Sequence, residues 1–262
     1  MLTGIFKNTP GILFLVSAAF FVLSFFPVYL QDSPGSSPAS YLATFFIALP
    51  AFTALVRYLG PKRAGLSLLA LSAFAYTIET VGVATGFPYG TFYYGDSLGP
   101  KALGLVPYLL PVTYLPLVIG AVAAAWGARG RALHVLGAAL LLTLMDGVLD
   151  PGAVVLGFWT WPGGGLYYDV PPGNYLGWLF SGVLAALITL FVGRWREPPL
   201  PGLLDSAVIA GAFWTGVATF SLLYGPALVG AGIFFYLLYR RSRLLEAQSA
   251  TSSNTGYKLE AG

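Results

Sequence analysis

Apolar runs of about 20 residues, the length an α-helix needs to cross the hydrocarbon of a bilayer, follow one another along almost the whole chain. They fall at 11–30, 41–59, 64–86, 103–126, 133–150, 174–192, 203–223 and 226–239. Lipid offers the backbone no hydrogen-bond partners, so such runs are expected to be helices. The expected fold is an all-α, polytopic membrane bundle of about eight helices. The last run is short and only Tyr224 and Gly225 separate it from the seventh, so seven spans with a broken final helix is the competing count. With 57% of its 262 residues hydrophobic and 9% charged, the chain has more apolar surface than a water-soluble core can hide.

The cationic residues test the count, because Lys and Arg collect in cytoplasmic loops. Lys7 precedes the first run, Lys62 and Arg63 follow the second, Arg129 and Arg131 the fourth, Arg194 and Arg196 the sixth, and Arg240, Arg241 and Arg243 the last. The intervening loops carry only Lys101. Eight spans with both termini cytoplasmic satisfy all these placements, whereas seven would leave the terminal arginines outside. The first run has Lys7 before it like a signal peptide, but Ser36, Pro38 and Ala39 make a weak cleavage pattern, and it is read as a helix. One membrane domain, 1–246, is expected, followed by a polar tail, 247–262, read as disordered. A net charge of +3 with no patch spaced to track phosphates argues against a nucleic-acid partner. The lack of Cys and the single His remove disulfides, iron–sulfur clusters and histidine-rich iron sites, so chemistry without metal or cofactor is expected.

Three acids stand in this apolar sequence: Glu79 in the third run, and Asp146 and Asp150 in the fifth. A carboxyl at membrane depth is costly, and function is its default reading. Both runs head outward in the eight-span topology. Glu79 then lies about 10 Å short of the outer end of its helix, near the level of Asp146 and Asp150, which are four apart and share a face. Each acid also has a plainer reading: Asp150 precedes Pro151 and can end a helix, and Glu79 can bond a neighbouring helix. Asp205 begins a helix on the opposite side and reads as stabilising its dipole. His134 reads as interfacial, and Asp96 and Asp169 as solvated loop residues.

Two long loops, 87–102 and 151–173, lie on the outer side and are dense in Gly, Pro, Tyr and Trp. Amphipathic rings suit the headgroup level, so an aromatic belt is the simple reading. Their nearness to the acids suggests more. One carboxyl of a cluster in an apolar site can keep its proton at neutral pH and give it up as a general acid. The π faces of Tyr93, Tyr94, Trp159, Trp161, Tyr167, Tyr168 and Trp178 can stabilise a developing carbocation. An alkene is the natural substrate for that combination.

These residues also form a pattern. Glu79-T-V-G-V-A-T-G-F-P-Y-G-T-F-Y-Y-G-D-S-L-G-P-Lys101, continuing to Pro107, resembles the membrane carotenoid 1′,2′-hydratases. So do Asp146-G-V-L-Asp150-Pro151, Trp159-T-Trp161 and Tyr167-Y-D-V-Pro171-P-G-Asn174-Y-L-Gly177-Trp178. The blocks occur in the family's order and span residues 75–178. The third block departs from the pattern, with Tyr168 and Asp169 where the family has an aromatic residue and glycine, and with two prolines, Pro171 and Pro172, for one.

The resemblance implies addition of water across the terminal C1′–C2′ double bond of an acyclic carotenoid end group, lycopene- or γ-carotene-like or a C50 analogue, with no cofactor. Its partners would be the lipophilic carotenoid, water and the bilayer of a prokaryotic plasma membrane, with the active-site loops on the non-cytoplasmic side. The expected catalytic residues are Glu79, Asp146 and Asp150, the aspartate pair donating the proton and Glu79 orienting or deprotonating water, with exchange of these roles allowed. Tyr93, Tyr94, Lys101, Trp159, Trp161, Tyr168, Asn174 and Trp178 are expected around the substrate; Lys101 can instead pair with a carboxylate, and Asn174 can cap its helix. A carotenoid cyclase would share the initial protonation. A prenyltransferase would use the D-x-x-x-D spacing of Asp146 and Asp150 but needs a second acidic motif. A proton-coupled transporter would use the acids as a relay. A retinal pigment is disfavoured, since no run contains a lysine.

Overall fold

The computed structural model describes residues 9–30 and 38–260, with side chains to residue 249. Lys7 and Ser36, used above for topology and cleavage, lie outside the described residues. The chain forms α1 (Gly11–Leu23), α2 (Phe25–Tyr29), α3 (Pro38–Leu59), α4 (Pro61–Thr85), α5 (Leu110–Ala124), α6 (Arg131–Val155), α7 (Pro172–Gly193), α8 (Asp205–Phe220) and α9 (Tyr224–Glu260). The loop after α4 holds β1 (Tyr93–Tyr94), β2 (Lys101–Ala102) and β3 (Val106–Pro107), and the loop after α6 holds β4 (Trp159–Thr160). Strand β1 pairs antiparallel with β4, and β2 with β3.

Among the described residues, six helical segments are long and apolar enough to cross a membrane: Gly11–Tyr29, Pro38–Leu59, Pro61–Thr85, Arg131–Val155, Pro172–Gly193 and Pro201–Phe220. Two of the eight expected runs fall short of that measure. The run 103–126 yields a helix of only 15 residues, because Leu103 (φ 53°) and Gly104 (φ 72°) turn the chain between β2 and β3 before α5 begins. The run 226–239 is the first part of α9, which passes directly into Arg240 and Arg241 and continues as helix through the polar stretch to Glu260. The fifth run does not stop at Asp150. Helix α6 carries Pro151 in its interior and ends at Val155, at the cost of one backbone donor.

Helix α5 is the centre of the bundle. Every residue from Tyr114 to Ala124 is buried, as expected of a helix apolar on all sides. Helices α3, α4, α6, α7 and α8 pack around it, while Leu15, Leu69, Phe191 and Leu228 stand exposed on the outside. The close approach of α5 and α8 depends on Gly120, where a Cβ would lie 2.5 Å from the Cβ of Ala207. At one end of the bundle Arg240 closes α5: its Nε donates to the Ala124 carbonyl at 2.6 Å and its Nη2 to that of Trp126. Asp205, the first residue of α8, accepts from Arg241 Nε at 2.7 Å, so it is ion-paired as well as placed at a helix start. His134 bonds the Val122 carbonyl at 2.8 Å from Nε2.

Helix α3 contains Pro50, which has no N–H for the helical ladder. Ser206 of α8 meets the backbone there: its hydroxyl accepts the Ala51 N–H at 2.9 Å and donates to the Ala48 carbonyl at 3.2 Å. Helix α8 is thus tied to both α5 and α3. Gly120→Ala is expected to destabilise the protein by about 1–3 kcal/mol despite the better helix propensity of alanine. Thermal unfolding in detergent measures this, and an unchanged or raised midpoint would contradict the α5–α8 contact.

Candidate active site

Glu79 on α4 and Asp146 and Asp150 on α6 are 6%, 1% and 2% exposed. Carboxylate oxygens in such surroundings need hydrogen-bond donors from the protein. Asn174, in the first turn of α7, serves two acids. Its Nδ2 donates to Asp146 Oδ2 at 3.0 Å and to Asp150 Oδ2 at 2.5 Å, which occupies both amide hydrogens. Trp159 Nε1 donates to Asp150 Oδ1 at 3.1 Å. The Tyr94 hydroxyl donates to Glu79 Oε2 at 2.8 Å. Asp146 Oδ1 has no partner among the described residues.

Tyr94 and Trp159 come from different loops, and pairing of β1 with β4 brings them together. Tyr94 stands opposite Trp159 in the ladder, their rings 5.8 Å apart and edge to face. Gly95 N–H extends the pairing to the Phe158 carbonyl at 2.8 Å. A Cβ at Gly95 would lie 2.3 Å from the Gly157 carbonyl oxygen, so the close approach requires glycine. Lys101 Nζ donates to the Tyr94 carbonyl and to Asp96 Oδ1, each at 2.9 Å. It therefore fastens the strand that carries Tyr94 and pairs with none of the three buried acids. Burial first, and then the charge of Glu79, push the Tyr94 phenol well above its ordinary pKa, which keeps it a donor at neutral pH.

Tyr89 enters between helices. Its ring fits between Gly82 of α4 and Gly177 of α7, where added Cβ atoms would approach it to 2.9 and 2.7 Å. Trp161 Nε1 donates to the Tyr89 carbonyl at 3.1 Å. The Tyr89 hydroxyl lies beside Glu79 and Ser181 without closing a hydrogen bond to either. Burial and then Glu79 hold this phenol well above its ordinary pKa too.

A cavity of about 510 Å³ opens from the cluster. Glu79, Asp150 and Asn174 reach its wall amid the rings of Tyr89, Phe92, Tyr94, Tyr114, Trp159, Trp161 and Trp178, while Asp146 does not line it. Two acids therefore face the cavity and the third stands behind Asp150. Among the described residues, no group of three or more His, Asp or Glu is placed to hold a metal ion.

Of the residues singled out in the sequence, Glu79, Tyr94, Asp150, Trp159, Trp161, Asn174 and Trp178 meet at this cavity, with Asp146 adjoining. Tyr93 is exposed on the loop surface, and Lys101 is in the loop as described. Tyr168 lies apart, its hydroxyl accepting the Gly225 N–H at 3.3 Å. Asp169 has a φ of 65°, which favours glycine, the residue found there in the pattern it resembles. Tyr89, Phe92 and Tyr114 line the cavity without having been singled out. Tyr114 sits inside an apolar run and reads as core, whereas the F-P-Y-G turn at 87–90 was the available sign of Tyr89.

The chain matches the family described as carotenoid biosynthesis protein over residues 38–237. It is 39% identical over 244 residues to bisanhydrobacterioruberin hydratase of Haloarcula japonica, an alignment covering 87% of this chain and 83% of that protein. No solved structure matches it.

Replacing Asn174 with Leu removes the amide from two buried carboxyls and is expected to cost about 1–3 kcal/mol or more in thermal unfolding. In the double variant Asp146→Leu, Asn174→Leu the cost should be less than the sum of the single costs. Strict additivity would mean that the Asn174–Asp146 bond contributes nothing.

Proposed function

The chain belongs to the carotenoid biosynthesis protein family, and from that premise we propose that it adds water across the terminal C1′–C2′ double bond of an acyclic carotenoid end group, giving a tertiary alcohol. The observation that carries this reading is the pair of cavity-facing acids, Glu79 and Asp150, set among aromatic rings in a largely apolar cavity. Glu79 is the general acid. Its proton goes to C2′, the π electrons form the new C–H bond, and a tertiary cation is left at C1′, facing the rings of Tyr94, Trp159 and Trp178. Asp150 is the base. Both its oxygens already accept N–H bonds, the arrangement of an ionised carboxylate. It orients a water molecule, whose oxygen bonds to C1′ while the carboxylate takes the released proton. Transfer of that proton back to Glu79 through water restores the starting state. Asp146 and Asn174 position Asp150.

This assignment reverses the roles first expected for the pair and for Glu79. It rests on Asp146 lying off the cavity wall and on the two N–H donors of Asp150. Each positioned acid or base is worth about 10²–10⁴-fold in rate. The topology that accompanies the proposal has eight crossings, α5 and the apolar part of α9 completing the six longer helices. Both termini are then cytoplasmic, and the paired loops lie on the outer side of a prokaryotic plasma membrane.

Expression in a lycopene-producing bacterium should yield pigments heavier by one or two waters, and unaltered pigment would contradict the proposal. In heavy water, Glu79→Gln should lose both hydration and deuterium incorporation at C2′, whereas Asp150→Asn should lose hydration but retain some incorporation. The opposite pattern would exchange the two roles. Tyr94→Phe leaves the Glu79 oxygen without its hydroxyl and should lower kcat by about 10–100-fold; an unchanged kcat would remove Tyr94 from the site.

A further inference from the structure

The cavity that holds Glu79 and Asp150 does not end among the aromatic rings. It continues to a slot bounded by Leu23, Phe26 and Pro27 on one side and by Ala39, Ala43 and Ile47 on the other. The slot exists because α1 and α3 both pack against α8 and make no substantial contact with each other among the described residues. Its two sides are held fast. On the first, Ser24 sits against Gly216 of α8, where a Cβ would come within 2.2 Å of its oxygen, and the Tyr29 hydroxyl donates to the Phe220 carbonyl at 2.6 Å. On the second, Ser206 bonds α3 at Ala48 and Ala51.

The slot is largely apolar, with Ser40 and Thr44 also in its wall, and it reaches the outside of the bundle. Leu23 and Phe26 are 48% and 46% exposed, and Ala39 is exposed. The hydroxyl of Thr44, between Ala43 and Ile47, is occupied by the Ser40 carbonyl at 2.8 Å. From Ala39 to Ile47 the side on α3 runs for about 12 Å along the helix. Ala39 and Ala43 are one turn apart and leave a shallow face where larger side chains would fill the gap. A continuous, largely apolar passage from two acids to the outside of the bundle suits a ligand with a reactive end and a long apolar remainder.

Resting on the proposed hydration of a carotenoid end group, we propose that the polyene arm of the substrate lies in this slot and passes sideways into the bilayer while the end group sits at Glu79 and Asp150. The protein then reads one end of the molecule at a time. The far end stays in lipid, so acyclic-ended carotenoids with a ring, a second acyclic end or a longer chain at the far end are all substrates.

The test places bulk in the slot. In the Glu79→Gln background, which binds without turnover, lycopene held in the chiral cavity of nanodisc-embedded protein gains circular dichroism in its visible band. Ala43→Trp in that background should weaken lycopene binding about tenfold or more by filling the groove. In otherwise unaltered protein, Ala43→Trp should reduce lycopene hydration by a similar factor, yet spare an olefin of two isoprene units carrying the same terminal alkene. Ala39→Trp, at the exposed mouth where added bulk has room, repeats the test should Trp at position 43 impair folding. Leu69→Trp, on an outer face away from the cavity, should change neither readout. Unchanged lycopene binding and hydration in both slot variants would make the slot a groove for lipid only and overturn the inference. Loss of the dichroism in the slot variants of a protein whose unaltered form hydrates no carotenoid would instead overturn the proposed function and leave the slot as a channel for an apolar chain.

Discussion

Three carboxyl groups buried in an apolar bundle need hydrogen-bond donors from the protein. This requirement explains the architecture around the site. Asn174 is in the first turn of α7, where its amide meets both α6 aspartates. The remaining donors come from the loops. Tyr94 serves Glu79 and Trp159 serves Asp150, and a short antiparallel ladder keeps the two adjacent. Lys101, Gly95, Gly82 and Gly177 serve the same end, holding the backbone of one loop or clearing space for its rings.

The bundle supplies a rigid frame for this arrangement. Helix α5 is too short for a long hydrophobic span, yet it is the most completely enclosed element, and Gly120 lets α8 pack against it at close range. Helix α8 in turn carries Ser206, which bonds α3 beside Pro50, and Gly216, which admits Ser24 between α1 and α2. One helix thereby sets the positions of elements on both sides of the cavity. Small residues do this work because close approach of helices in lipid is rewarded by van der Waals contact.

The all-helical membrane class and most helix positions were legible as apolar runs of the right length. The three acids were legible because a carboxyl is conspicuous in such a run, and the aromatic loops because of their density in Tyr and Trp. Hydropathy missed where α5 begins, since Leu103 and Leu105 are as apolar in a hairpin as in a helix. Proline misled at Asp150, where helix α6 tolerates Pro151 and continues to Val155. Depth along a helix placed Glu79, Asp146 and Asp150 at one level but carried no information on which faced open space. That distinction depends on the rotation of α6 against α7 and on a bond from Asn174, both products of tertiary packing. Lys101 illustrates the same limit. Its charge was visible, but its partners, the Tyr94 carbonyl and Asp96, depend on a loop conformation that composition does not encode.

The ladder between β1 and β4 has two residue pairs. A ladder of that length has little stability of its own; its rings pack on a small cluster of Ile78, Tyr89, Phe92, Trp161 and Val170, whereas the helices beneath share a much larger buried core. Proteins open locally before they unfold as a whole, in units set by how much each region buries. Opening this one unit would withdraw the hydroxyl of Tyr94 and the indole of Trp159 together, leaving Glu79 and Asp150 without those donors inside an intact bundle. The durability of the site under heat or detergent is thus governed by a few loop residues, and the fold can outlast the geometry it was assembled to present.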